Sequence, residues 1–170
     1  YSTLNYGDTL KDKASQIIQI NNEKLADFFS QYISDLKRVA STIASDPDVT
    51  NVITQSTEET ERMYLKLQNY CEQYQEFIGV YVGTKNGDMF MRPVESEKQL
   101  SKDFDPRTRP WYKDAVSKPN EVIITDPFLD VVTKDTIVAI SKAVKNSKGE
   151  IVGAVGIDLS MSKISEMLKK

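Results

Sequence analysis

Between Gly7 and Asp46-Pro47 no proline or glycine interrupts the chain, and apolar residues return every three or four positions. Ala14, Ile18, Leu25, Phe28, Tyr32, Leu36, Val39 and Ile43 fall on one face of a helix, with Asn21 among them. A helix of roughly 40 residues is about 60 Å long. That exceeds what one small domain can cover, so its C-terminal half is expected to pack on the domain while the rest projects as a stalk or pairs with a second copy. Asn21 suits such a seam, where a polar residue fixes register. Asp46-Pro47 breaks the helix, Val49 to Ile53 form a short turn or helix, and Thr57-Glu-Glu-Thr60 reads as the cap of a second helix. That helix carries Met63, Leu67, Tyr70 and Tyr74 on its apolar side, with Cys71 beside them.

From Phe77 the hydrophobic period becomes two. Strands are expected at Ile78 to Lys85 and Asp88 to Arg92, joined through Asn86-Gly87, a strong hairpin signal. A polar loop runs from Pro93 to about Phe104, and a short helix from Trp111 to Val116 starts just after Pro110. Further strands follow at Glu121 to Thr125, Thr136 to Val144 and Glu150 to Leu159, the last two joined at Asn146 to Gly149. Ser160 or Ser162 caps a final helix with Ile164, Met167 and Leu168 inward. The order implies an α+β fold: a long and a second helix on a five-stranded antiparallel, PAS-like sheet, with an exit helix. It divides into a helical stalk and helix pair (1–76), a PAS-like sheet module (77–160) and the exit helix (161–170).

The chemistry is mostly excluded. The 170 residues contain no histidine, which removes the commonest general base and metal ligand, and Cys71 is alone. No metal, no cofactor and no catalytic residue is expected, and the chain is not expected to be an enzyme. Gly153-Ala-Val-Gly156 lacks the third glycine and following helix of a dinucleotide site. Asp126 and Asp130 could pair for acid–base work, but capping a turn or binding a cation is the more ordinary role. Lys and Arg total 22 against 25 Asp and Glu, a net charge of −3, which offers no basic face for nucleic acid. No stretch nears the ~20 apolar residues of a membrane span. If the protein is anchored in a membrane, the anchors are expected outside this sequence.

One segment concentrates costly residues: Phe104-Asp-Pro-Arg-Thr-Arg-Pro-Trp-Tyr112. Prolines stiffen the backbone around Arg107 and Arg109, while Trp111 and Tyr112 offer large faces with polar edges. Arginine suits a bidentate grip on a carboxylate. A structural reading pairs Arg107 and Arg109 with Asp103 and Asp105 while Trp111 fills the core; it is preferred for Arg107 but not for Arg109 and Trp111, where a ligand role is preferred.

This segment, with Val80-Tyr-Val-Gly-Thr-Lys-Asn-Gly-Asp, Thr125-Asp-Pro-Phe-Leu-Asp and Gly153-Ala-Val-Gly-Ile-Asp-Leu-Ser, resembles the signature of Cache domains. These are extracytoplasmic sensor modules of bacterial chemoreceptors and sensor kinases. In amino-acid-binding members the arginine before Pro-Trp grips the ligand carboxylate, here Arg109 beside Trp111, and two aspartates hold the amine, here Asp130 and Asp158. The family pattern has tyrosine where this chain has Phe104 and Phe128. Both changes remove a hydroxyl and keep the ring, which counts against an ordinary α-amino acid and favours a small carboxylate or an amine with more apolar bulk. The two acids beside Trp111 imply a positively charged nitrogen on the ligand, with a carboxylate for Arg109.

The resemblance thus implies a membrane receptor's sensor domain, on the periplasmic or extracellular face, for a small amine-containing molecule such as an amino acid. Alternatives are a sensor of a small carboxylate in a histidine kinase, and a dimerisation module without ligand. The helix pair and short exit helix favour a single-module sensor over the distal half of a two-module one. The stripe from Ala14 to Ile43 should make the isolated domain a weak homodimer. Sedimentation at high concentration checks this: only monomer, with no change on deleting the first 20 or so residues, would count against it.

Overall fold

The computed structural model describes residues 23–130 and 134–169. Helix α1 spans Glu23–Ser45. Its buried stripe is Phe29, Ile33, Leu36, Ala40 and Ile43: Leu36 and Ile43 are as expected, while Phe29, Ile33 and Ala40 take the places expected of Phe28, Tyr32 and Val39. Phe28 is 51% exposed and stacks on Tyr32 at the flank of this stripe. Ala14, Ile18, Asn21 and the side chain of Leu25 lie outside the described residues.

A short α2 (Pro47–Thr50) turns the chain under the Asp46 cap, and α3 spans Thr57–Gln73. The cap of α3 is Ser56 rather than Thr57: its hydroxyl accepts from Glu59 N while the Glu59 side chain returns to Ser56 N. Asp48 is buried at the α2–α3 corner and is gripped by Arg62 (2.6 and 2.8 Å) and Lys66 (2.7 Å).

The remaining elements are β1 (Phe77–Thr84), β2 (Met89–Arg92), α4 (Val94–Lys98), a 3-10 turn (Pro106–Thr108), α5 (Pro110–Ser117), β3 (Val122–Ile124), β4 (Phe128–Leu129), β5 (Thr136–Lys145), β6 (Ile151–Ser160) and α6 (Met161–Leu168). Helix α4 interrupts the expected polar loop. Five strands run antiparallel in the order β2-β1-β6-β5-β3. A sixth, the two-residue β4, continues along the free side of β5 beyond β3; so short a pairing leaves no alternation in sequence to read. Gly87 (φ +93°) closes a turn in which Thr84 Oγ1 accepts from Asn86 N and Asp88 N. Gly149 (φ +81°) closes a matching turn around Asn146 Oδ1.

The sheet has two unlike faces. Val80, Val82, Val138, Ile140, Val155 and Ile157 point to the helices, with α1 against β5 and β6 and α3 against β1 and β2. Their neighbours on the other face are mostly small: Gly79 and Gly83 in β1, Ala139 and Ser141 in β5, Ala154 and Gly156 in β6. Among the described residues α5 and the loop before it cover most of that side, with the end of β4 at its margin.

Arg62 above all, helped by Lys66 and opposed by burial, holds the Asp48 carboxyl down at about 2. A depressed carboxyl gives stability that is present above the unfolded value of about 4 and lost as pH falls through about 2. Asp48→Asn should lower stability by about 1–3 kcal/mol and flatten this acid limb. Urea unfolding between pH 2 and pH 7, run on both proteins, should show the difference; equal curves would remove Asp48 from the account.

Candidate functional site

On its sparsely covered face the sheet encloses a cavity of about 460 Å³. Tyr81, Ala139 and Asp158 form the floor, Met89, Met91 and Leu100 one wall, and Phe104, Arg109, Pro110 and Phe128 the loop side. Glycine makes the floor possible. Tyr81 lies opposite Gly156 in the β1–β6 ladder, and a Cβ at Gly156 would stand 2.1 Å from Tyr81 Cε2. The ring therefore crosses β6, and its hydroxyl donates to Asp158 Oδ1 at 2.7 Å. Gly83 does the same for the cover: a Cβ there would meet Pro106 at 2.6 Å and Trp111 at 3.0 Å.

Trp111 enters on the first turn of α5, placed by Pro110 at the helix start. Its ring meets Tyr81 edge-on at 4.7 Å, and its carbonyl accepts from Ser141 Oγ at 2.9 Å. Arg109 caps the same helix and lays its guanidinium over Phe104, 4.8 Å from the ring centre. It forms no ion pair with any carboxylate among the described residues. Arg107 differs: it grips Asp105 through Nε and Nη2 (2.9 and 2.8 Å) and donates to Lys85 O, fastening the loop to the β1–β2 turn.

Asp158 is largely enclosed, its accessible edge facing the cavity. Burial pushes its carboxyl up to about 6; the Tyr81 hydroxyl opposes the rise and the charge of Asp130 adds to it. Repulsion between the two acids is thus the lesser cause, and desolvation the greater. Asp130 sits at the end of β4, its N–H donating to Asp135 O at 2.8 Å. The exit helix takes its cap from Ser160, which accepts from Lys163 N, so Asp158 is not the cap.

Of the residues singled out in the sequence, the cavity gathers Phe104, Arg109, Trp111, Phe128, Asp130 and Asp158. It does not include Tyr112, which lies buried beside Trp111 and Ala115 on another side of α5. The successive helix positions 111 and 112 point about 100° apart, so both cannot face one cavity. Asp126 is exposed and stands apart from the cavity. Tyr81, Met89, Met91 and Leu100 escaped the sequence reading; the glycine opposite Tyr81 was the available signal for the first of these.

This arrangement defines a sensor-type binding module: an antiparallel sheet with helices behind it and a ligand-sized cavity under a capping loop. The family profile described as methyl-accepting chemotaxis protein-like, first PDC sensor domain, matches residues 47–166. The chain belongs to that family. Among curated relatives, methyl-accepting chemotaxis protein McpC of Bacillus subtilis (strain 168) is 33% identical over 119 residues, 69% of this chain and 18% of that protein. McpG of Pseudomonas putida is 33% identical over 92 residues, 54% of this chain and 14% of that protein. The chain therefore spans less than a fifth of these relatives. Among solved structures, the ligand-binding domain of Pseudomonas fluorescens chemoreceptor CtaA in complex with L-isoleucine is 27% identical with a TM-score of 0.65, covering 92% of this chain and 59% of that one. That of Pseudomonas aeruginosa PctB in complex with L-Arg is 25% identical with a TM-score of 0.62, covering 79% and 52%. No described helix is long and apolar enough to cross a membrane.

Because the folded Asp158 carboxyl is raised to about 6, its sign is opposite to that of Asp48. Its protonation stabilises the ligand-free fold as pH falls toward about 4, and that stabilisation is lost as pH rises through about 6. Tyr81→Phe removes the one contact that favours the charged form, so the Asp158 midpoint should climb above about 6. Carbon-13 titration of the side-chain carboxyl reads it directly, and a midpoint that stays or falls would contradict the bond's role.

Proposed function

We propose that this chain is the ligand-binding sensor domain of a chemoreceptor, and that its cavity takes a small molecule carrying a positively charged nitrogen, an amino acid first among candidates. The observation that carries the reading is Asp158: a carboxylate enclosed at the cavity floor, near a second acid, with its ionised form held at a disadvantage. A ligand ammonium relieves that disadvantage, and the faces of Tyr81 and Trp111 add cation–π attraction. Arg109, at the mouth, supplies the matching grip for a carboxylate. The named relatives are methyl-accepting chemotaxis proteins, and two solved neighbours hold L-isoleucine and L-Arg, which supports the same ligand class.

A module for dimerisation alone would be expected to pair Arg109 with the protein's own acids. It has no such ion pair among the described residues, which favours the sensor reading. The domain binds its ligand without catalysis, faces the outside of the membrane, and is anchored through segments outside this sequence. Its N-terminal helix makes a weak homodimer contact. The family's description as a first PDC sensor domain favours the distal module of a two-module sensor over the single-module form that the exit helix suggested.

A thermal-shift screen of amino acids, amines and short carboxylates should find a ligand, since one at 100 times its Kd adds about 2.7 kcal/mol. Calorimetry should then show binding weakened about 30-fold or more by Arg109→Ala, and comparably by Asp158→Asn. Ammonium binding needs the ionised acid, so affinity should drop about tenfold per unit as pH falls below about 6. An anion without nitrogen as the ligand, or full affinity in both Asp130→Asn and Asp158→Asn, would overturn the reading.

A further inference from the structure

We infer that the ligand is an amino acid whose side chain is apolar, of the leucine, isoleucine or methionine kind, and that the cavity discriminates against a second charge. This rests on the reading of the cavity as an amino-acid site. The charged groups lining it are Arg109, Asp130 and Asp158, and the carboxylate and amine of an amino acid engage all of them. Of the rest of the described lining only Tyr81 and Thr125 carry a side-chain hydroxyl, and Met89, Met91, Leu100, Phe104 and Phe128 supply most of the apolar surface beside Trp111.

Polar groups left for a third arm of the ligand are few. The Tyr81 hydroxyl donates its proton to Asp158, and Thr125 Oγ1 already accepts from Ala139 N at 3.0 Å. Met91 sits beside the amine end: its methyl lies 2.6 Å, and Asp158 Oδ2 3.8 Å, from the point where a Cβ on Gly79 would stand. A carboxylate or ammonium on the ligand side chain would therefore leave water for sulfur and carbon, with no further counter-charge among the described lining residues to meet it. Apolar branches instead gain burial. Unbranched thioethers adapt to more than one shape, so Met89 and Met91 allow a group of apolar side chains rather than a single one. The cavity's volume of about 460 Å³ leaves room for such a side chain beyond the amine and carboxylate.

The test uses pairs matched in size on this chain: calorimetry with L-methionine against L-glutamate, and L-leucine against L-aspartate. In each pair the apolar member should bind at least about 100-fold more tightly. Equal or tighter binding of the charged member overturns this inference while leaving the amino-acid reading intact. Silence of every amino acid overturns both. A cation added to the wall by Met89→Lys should narrow the methionine-to-glutamate ratio about tenfold or more, with Leu100→Lys as the second variant if the first does not fold. An unmoved ratio in a folded variant removes that wall from contact with the side chain and overturns the proposal.

Discussion

Side chains on a strand point alternately to opposite faces, and in β1, β5 and β6 that alternation sorts bulk from its absence. Valine, isoleucine and leucine fill one side and are sealed by α1 and α3; glycine, alanine and serine occupy the other. The first side supplies the apolar burial that stabilises the fold. The second leaves a hollow that one short helix and its preceding loop can cover without filling. Cavity and core are therefore two results of one pattern. Bulk added at Gly79, Gly83 or Gly156 collides with Met91, with Pro106 and Trp111, or with Tyr81.

Within that hollow, neighbouring residues of the same type are given different work by their surroundings. Arg107 and Arg109 stand two apart, yet one is neutralised by Asp105 and the other looks into the cavity over an aromatic ring. Asp48 and Asp158 are both carboxylates removed from bulk water. Two cations hold the first firmly ionised, while the second has only a phenol for support and another acid nearby. The first is complete as it stands; the second keeps its ionised form at a disadvantage.

Much of this could be read from residue order. The change of period at Phe77, the Asn-Gly and Lys-Gly turns and the Pro-Trp helix start are local signals, and local physics decides them. Six residues now found around the cavity could be named because the blocks carrying them resemble a known signature. The errors came where tertiary packing chooses. Phe28 and Phe29 are equally apolar, and only the shape of the sheet surface decides which turns inward. Ser56 and Thr57 are both good caps, and Glu59 decides between them. Met89 and Met91 look like ordinary strand residues; only the fold shows that both line the cavity, with the Met91 methyl in the room that Gly79 leaves.

Strand β6 carries Asp158 on the cavity floor and, two residues later, Ser160 at the root of the exit helix, a separation of about 7 Å. The Ser160 hydroxyl bonds Asp135, whose carbonyl takes the N–H of Asp130; the Ser160 N–H donates to Glu76 O at 2.8 Å, and the Glu76 side chain takes the hydroxyl of Tyr32 on α1. Both cavity acids, α1 and α6 are thus joined through hydrogen bonds or strand to one residue. Asp158 and Ser160 lie on one continuous strand, so a displacement of the first would be carried along regular backbone to the foot of α6.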